Sequence, residues 1–428
     1  MTKFRFIIWL VLVAISGTLH AEEYQDWSIE TWGKVTFDSR IFQHDPAGRE
    51  IDQAGSNQFS LTFEPTVYME NADGNSFTFS PYVLVDSLDN ERTHVDFREA
   101  YFLTYGLIGE SEWELRLGVD QVFWGVAESS NPVNIVNQTD LVVHPDGKTK
   151  LGQPMIQGTL TGDWGMFNLI VMPYHRPRTF AGPNGRLGLL VPVETSQNQI
   201  EYTSSSGRNN IDLAARYSNS LGSVDFGISL FDGTSRDPEL RPQCKESSSE
   251  IDCITDPKKW TSFIQHYHLI KQMGLDVQIT MGPFLGKAEW ITREETRKNN
   301  NKSRYHASVI GGEYAIYGIF ETDADLTMLA EWNHDTRGPT ATTNLQNDLF
   351  LAGRYAFNDI MDTEITVAIV EDMDYSTRNL IVEFNRRLSD SFSLSAEVFG
   401  FLQEDQSDMQ SRPIFQDEYV SLEISYGF

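Results

Sequence analysis

Apolar and polar residues alternate in short runs along most of the chain. Val35, Phe37 and Ile41 alternate with Lys34, Thr36, Asp38 and Arg40, and Phe59, Leu61, Phe63, Val67 and Met69 with Ser60, Thr62, Glu64, Thr66, Tyr68 and Glu70. After the turn Asn71-Ala72-Asp73-Gly74-Asn75, Phe77, Phe79, Val83 and Val85 alternate with Thr78, Ser80, Tyr82 and Asp86. Further strands are predicted near 94–106 and 112–124. The last run carries Val420, Leu422, Ile424, Tyr426 and Phe428 on one face, and Asp417, Tyr419, Ser421, Glu423, Ser425 and Gly427 on the other. Period two with one greasy and one wet face is the signature of half-buried strands.

Short turns (106–111, 162–165, 218–222, 357–362, 388–390) alternate with long polar connections near 43–56, 125–153, 175–207, 232–261, 296–303, 334–345 and 405–414. No linker interrupts the pattern. It predicts an all-β, antiparallel up-and-down barrel crossing a membrane, with about 18 strands and 16 as the alternative. Phe263 to Met281 is read as one long strand, and Leu187 to Val193 with Gln199 to Tyr202 as a small hairpin above the membrane. The closing strand, ending on an aromatic residue, resembles the C-terminal signature of bacterial outer-membrane β-barrels. That resemblance makes Tyr426 and Phe428 an assembly signal read by the barrel-assembly machinery. It also places the short turns in the periplasm, the long loops outside, and the last strand against the first.

Lys3 and Arg5, an apolar run from Phe6 to about Gly17 and Ala21 before Glu22 describe a secretory leader over 1–21. The mature barrel would then occupy 22–428. A net charge of −28 argues against nucleic acid and suits an outer cell surface rich in lipopolysaccharide and divalent cations; solubility alone would also explain it. Mean hydropathy is −0.35, and barrels hide only alternate residues in lipid, so averages understate them. Cys244 and Cys253, the only cysteines, are expected to form one disulfide stapling a loop.

Function-bearing positions concentrate in two segments. In the first, a strand ends at Trp124-Gly125 and enters a connection holding Glu128, Asn131, Asn134 and Asp140 with Ile135, Val136, Leu141 and Val142. Apolar residues of that kind are poorly suited to exposure, so the 125–153 loop is expected to fold inward and narrow the lumen. Arg176, Arg178 and Arg186, in the second, could face its carboxylates and amides across a constriction, or contact lipopolysaccharide phosphates. Arg116 and Asp120, on an inward face, complete the pore candidates. Other inward charges (Arg98, Asp212, Arg216, Lys287, Glu289, Arg293, Arg354, Glu364, Glu383, Arg387, Glu397) read as salt-bridge ladders or as a transverse field.

The stretch Gly118 to Asp140, with Tyr174-His175-Arg176-Pro177-Arg178-Thr179-Phe180, Asn184 to Leu187, Gly274-Leu275-Asp276, Lys287-Ala288-Glu289 and Arg354 to Asp359, resembles a proteobacterial barrel family of unassigned function. It is grouped loosely with porins and alginate-export-type channels, and this chain is short for it. The resemblance implies porin-like passage of small solutes. The alternative is a barrel serving export or lipid and hydrophobe trafficking, with an inner-membrane exporter as partner.

An enzyme is not expected. His306 and Ser308 share a face as in outer-membrane phospholipases, but Val309 stands where that family has Asn. His266 and His268 lack a nearby third ligand. No metal or cofactor is expected.

Overall fold

The computed structural model describes residues 27–45, 57–244, 253, 256–297 and 301–428; the expected leader lies outside them. The strands are β1 (Trp27–Phe42), β2 (Asn57–Asn71), β3 (Ser76–Asp86), β4 (His94–Ile108), β5 (Ser111–Asp120), β6 (Gln153–Gly162) and β7 (Gly165–Met172). They continue with β8 (Glu201–Tyr202), β9 (Asp212–Leu221), β10 (Val224–Thr234), β11 (Glu239–Cys244), β12 (Trp260–Tyr267), β13 (Leu269–Met281) and β14 (Phe284–Thr296). The remainder are β15 (Lys302–Ile316), β16 (Asp325–Asp335), β17 (Asn347–Ala356), β18 (Glu364–Asp372), β19 (Arg378–Arg387), β20 (Phe392–Gln403) and β21 (Tyr419–Gly427).

All but β8, β11 and β12 belong to one 18-stranded antiparallel sheet. It closes where β1 meets β21, from Lys34 opposite Gly427 to Phe42 opposite Tyr419. Gly33 and Phe428 then exchange backbone hydrogen bonds of 3.0 and 3.1 Å. A Cβ on Gly33 would stand 2.6 Å from the Phe428 ring, so the seam needs glycine there. Closure leaves no unpaired edge, as a wall in lipid requires.

The alternation read from the sequence sorts the two faces. Phe37, Ile41, Leu213, Leu230, Val420 and Leu422 are exposed on the outside, with Tyr105, Trp164, Tyr314 and Tyr426 toward the short-turn end. Such an apolar band with flanking aromatics is what a membrane-crossing barrel presents to lipid. Inward positions carry Thr36, Asp38, Arg40, Gln58, Ser60, Asp276, Lys287 and Glu289, all buried.

Three expectations are corrected. The strand drawn through 124 stops at Asp120: Val122 N–H bonds the Asn137 side chain (2.8 Å) instead of a neighbouring strand. Phe263 to Met281 is two strands, parted at His268, and only β13 enters the wall, beside β10. β12 instead pairs with β11 and, in parallel, with β8, making a three-stranded sheet at the long-loop end. The proposed 187–202 hairpin is replaced by this docking: Val193 bridges Phe263, and Glu201-Tyr202 line up with His266-Tyr267. Strong β pattern in both segments found a partner outside its own hairpin. Cys244, the last residue of β11, is disulfide-bonded to Cys253.

Candidate functional site

The connection between β5 and β6, residues 121–152, folds into the barrel and crosses it. Trp124, Val133, Ile135 and Val136 are buried against inward side chains Met155, Ile170, Met172, Ala214, Phe231, Ile270, Ile291 and Tyr305. Each fully buried side chain of that size contributes roughly 1.5–3 kcal/mol. Burial alone would let the segment slide; two wall carboxylates fix it.

Glu289 on β14 accepts from the N–H groups of Val126 (2.7 Å) and Ala127 (3.0 Å), from the Asn131 amide (2.9 Å) and from Val133 N–H (3.4 Å). Glu331 on β16 accepts from Glu128 N–H (3.0 Å), Ser129 N–H (2.7 Å) and Ser129 Oγ (2.6 Å). Lys287 reaches Glu128 at 2.8 Å and also pairs with Glu313. Gly125 makes the approach to Glu289 possible. Its φ is +136°, and a Cβ would lie 2.7 Å from both the Asn131 amide nitrogen and Glu289 Oε1.

The other end of the segment touches the far wall. Arg92 donates to the Val142 carbonyl (2.8 Å) and Arg40 to the Val143 carbonyl (3.3 Å). His144 bridges Asp146 (3.1 Å) and Glu397 on β20 (3.4 Å). Burial would lower the His144 pKa, but the hydrogen bonds to Asp146 and Glu397 outweigh it and raise it to about 9. Burial, with the nearby Arg178 charge, lowers Lys150 to about 8; its ammonium donates to Thr139 Oγ1 (2.9 Å) and the Gly147 carbonyl (3.0 Å).

The sequence candidates fall into place around this segment, in roles that differ. Arg116 pairs with Asp120 at 3.0 Å on the wall. Trp124, 4% exposed, is buried between the segment and the wall, so it packs and does not line the passage. Asn131 and Asn134 hold backbone: Asn131 donates to the Ala127 carbonyl (2.8 Å), and Asn134 accepts from Trp124 N–H (3.4 Å). Asp140 accepts from Arg98 (2.8 Å) and Thr179 (2.7 Å). Burial would raise its pKa, yet the adjacent His94 ring and the Arg98 charge hold it at about 2.

Each of the three arginines is tied to a different carboxylate, and two also meet the crossing segment: Arg176 donates to the Gly152 carbonyl (2.5 Å) and Arg178 to Gln138 Oε1 (3.5 Å). Arg176 pairs with Asp96 (2.7 Å), Arg178 with Asp237 (2.5 Å) and Arg186 with Asp417 (2.6 Å). Arg186 also donates to the carbonyls of His44 (2.8 Å) and Gln416 (2.6 Å) and lies 4.3 Å over the Phe42 ring. The 173–211 connection, leaving from β7, thus reaches β1 and β21 and roofs part of the mouth. Gly182 N–H on Asp89 (2.9 Å) pins its middle.

A cavity of about 590 Å³ stays open between the crossing segment and β1–β4, lined by Lys34, Thr36, Thr62, Glu64, Arg98, Glu99 and Glu423 on the wall. Gln121, Phe123, Lys148 and Lys150 face it from the segment. A second concavity, about 620 Å³, lies on the lipid side among Leu169, Leu213, Leu230 and Met273, away from these groups. His306 and Ser308 point outward on β15; the His306 ring stacks on Trp290 (5.6 Å), which is also Ser308's register partner.

The anchors Glu289 and Glu331 and the hook His144 were not singled out as site residues from the sequence. Glu331 shares the inward face of β16 with Asn333 and Asp335, and that polar run was its one signal in the sequence.

No protein-family model and no curated protein matches the chain. Among solved structures it is similar to OprB of Pseudomonas putida, at 9% identity over 94% of both chains with a TM-score of 0.45. It is similar to the outer-membrane expressed OmpT of Vibrio cholerae at 8% identity, covering 94% of this chain and 98% of that one, with a TM-score of 0.45. An anion-selective porin from Comamonas acidovorans shares 11% identity, over 94% of this chain and all of the other, with a TM-score of 0.40. Such likenesses carry no argument about solute or mechanism. The fold rests on the strand pairing itself.

Proposed function

We propose that the protein is an outer-membrane channel of a Gram-negative bacterium that passes small polar solutes, with residues 121–152 as its constriction. The observation that carries this reading is the one-sided filling of the lumen. The crossing segment is sealed against the β6–β15 side, while a polar, charged cavity remains along β1–β4. On the wall, Lys34 pairs with Glu64 and Arg98 with Asp140, which leaves Glu99 and Glu423 facing Lys148 and Lys150 on the segment; these would set up a field across the passage, which orients dipolar solutes. The resemblance of 118–140 and 174–187 to porin-like and alginate-export-like barrels supports the same reading. The apolar outer band argues for lipid as its surroundings, and lipopolysaccharide and the assembly machinery follow as partners.

A second reading is favoured by one feature, the roof formed by 173–211 and the β8–β11–β12 sheet over the mouth. A roofed barrel suits a conduit that opens only with a partner such as an inner-membrane exporter, carrying hydrophobic or polymeric cargo. Planar-bilayer recording separates the two. Steady single-channel steps from the folded protein, growing several-fold when residues 128–140 are deleted, support the open channel. Silence from both proteins, each verified as folded by heat-modifiable migration, rejects it in favour of the roofed conduit.

A further inference from the structure

Four charges that line the luminal cavity stand without a counter-charge. Glu99 on β4 accepts from Ser80 Oγ (3.3 Å), and Glu423 on β21 accepts from Ser425 Oγ (3.1 Å). Lys150 donates within the crossing segment, to Thr139 Oγ1 and the Gly147 carbonyl, and Lys148 completes the four. Among the described residues none of them forms an ion pair, whereas charges elsewhere in the lumen do: Arg116 with Asp120 (3.0 Å), Arg216 with Asp276 and Lys287 with Glu128 (2.8 Å). The two carboxylates belong to the wall and the two ammonium groups to the segment. Opposite charges therefore face each other across an open space instead of meeting.

A second observation is the Phe123 ring, which is 65% exposed and lines the same cavity. Its neighbours Val122 and Trp124 pack on the apolar cluster of the β6–β15 side, and the chain between them turns Phe123 toward the open side. The wall positions that share the cavity with it are polar (Thr36, Thr62, Glu99, Glu423), so the ring is left largely uncovered. An aromatic ring kept in water forgoes the burial that usually stabilises it. A solute with an apolar face would restore that burial during its passage.

We propose that the cavity selects zwitterions with an apolar side chain, namely aromatic amino acids and short peptides that carry one. The solute's ammonium lies toward Glu99 and Glu423, its carboxylate toward Lys148 and Lys150, and its ring against Phe123. A simple anion or cation is attracted to one side of the cavity and repelled by the other, whereas a zwitterion gains at both. A neutral sugar would cover Phe123 but leave the four charges unmatched. The cavity, about 590 Å³, lies within the size range of small-ligand sites. The inference rests on the channel reading and names the solute class of that same passage.

The test uses the full-length protein folded in detergent, with planar-bilayer recording for block of a KCl current and isothermal titration for binding, which needs no current. L-phenylalanine and the dipeptide alanyl-phenylalanine should interrupt the current in a concentration-dependent way and bind in the calorimeter. Phenethylamine (no carboxylate), 3-phenylpropanoate (no ammonium) and glycine (no ring) should each bind about tenfold more weakly than L-phenylalanine. Lys148→Gln should weaken L-phenylalanine several-fold and leave phenethylamine no weaker, and Glu423→Gln should do the same with 3-phenylpropanoate as the spared ligand. Phe123→Ala, at an exposed position, should remove the preference for L-phenylalanine over glycine. A conducting protein that neither zwitterion blocks or binds, or that maltose or the singly charged analogues block equally well, overturns the solute class and leaves the channel reading standing. A silent protein that still binds L-phenylalanine through these side chains supports the site and counts against the channel, whereas silence without binding overturns both.

Discussion

The two sides of the lumen are built differently. On the β6–β15 side, a cluster of inward positions is apolar (Met155, Ile170, Met172, Ala214, Phe231, Ile270, Ile291) beside polar ones such as Gln272, Asp276 and Glu289, and the 121–152 segment lies on it. Around β1–β4 and β21 the inward positions are polar and carry both charges (Lys34, Thr36, Thr62, Glu64, Arg98, Glu99, Glu423), and the cavity lies there. A wall apolar on both faces needs a second cover besides lipid, whereas a wall wet on one face can hold water. Where the alternation of greasy and polar residues breaks down, the barrel is filled; where it holds, the barrel stays open.

The largest effect should follow from removing the anchors that hold the segment to its apolar side. Glu289→Ala with Glu331→Ala removes the acceptors for seven donors on residues 126–133. Charge-assisted hydrogen bonds of this kind contribute roughly 1.5–3 kcal/mol each. The double variant should show at least a twofold larger single-channel conductance and a new protease-sensitive site within 126–133. Unchanged conductance with that site cleaved would mean that the segment does not set the pore.

How far the sequence foretold this comparison can be read at particular residues. Strand number, closure at Phe428 and the turn asymmetry were legible, because period two and turn chemistry are local. The inward fold of the connection was legible from Ile135, Val136 and Val142, which water would not tolerate. Its resting place lies on doubly apolar runs such as Leu169-Ile170-Val171-Met172 in β7 and Leu213-Ala214-Ala215 in β9. The partners of Arg176, Arg178 and Arg186 were not legible, since Asp96, Asp237 and Asp417 lie from 59 to 231 positions away or on another strand and meet them only through the closed wall. Nor was the 260–267 strand's departure from the wall, because a strand pattern does not say which sheet receives it.

A middle-sized effect should come from pH at the far end of the crossing. The His144 pKa is raised to about 9 by Asp146 and Glu397. A raised value means that the bridge contributes fully below the ordinary histidine value of about 6.5 and fades as pH climbs through about 9. Open-state current noise should therefore grow between pH 7 and 9.5, and His144→Gln should be noisy at both, with no pH dependence. Equal quiet at both pH values in wild type would remove His144 as the hook.

The smallest effects concern charge across the open side. Lys148, on the segment, lies within electrostatic reach of Glu128 and Glu383 and lines the cavity opposite Glu423. Lys148→Gln should shift the reversal potential in a salt gradient by a few millivolts toward cation preference, and Glu423→Gln by a similar amount toward anion preference. Shifts of the same sign would contradict a field running across the passage.

The most direct test of a lumen open on one side and filled on the other is cysteine accessibility during conduction. Native Cys244 and Cys253 are disulfide-bonded, so single substitutions report alone. Thr62→Cys places a thiol on the open side and Ala214→Cys one beneath the crossing segment. A small charged thiol reagent should cut the current through the Thr62→Cys protein within seconds and leave the Ala214→Cys protein unchanged. Rapid block at Ala214→Cys with none at Thr62→Cys would place the passage on the wrong side and contradict the account.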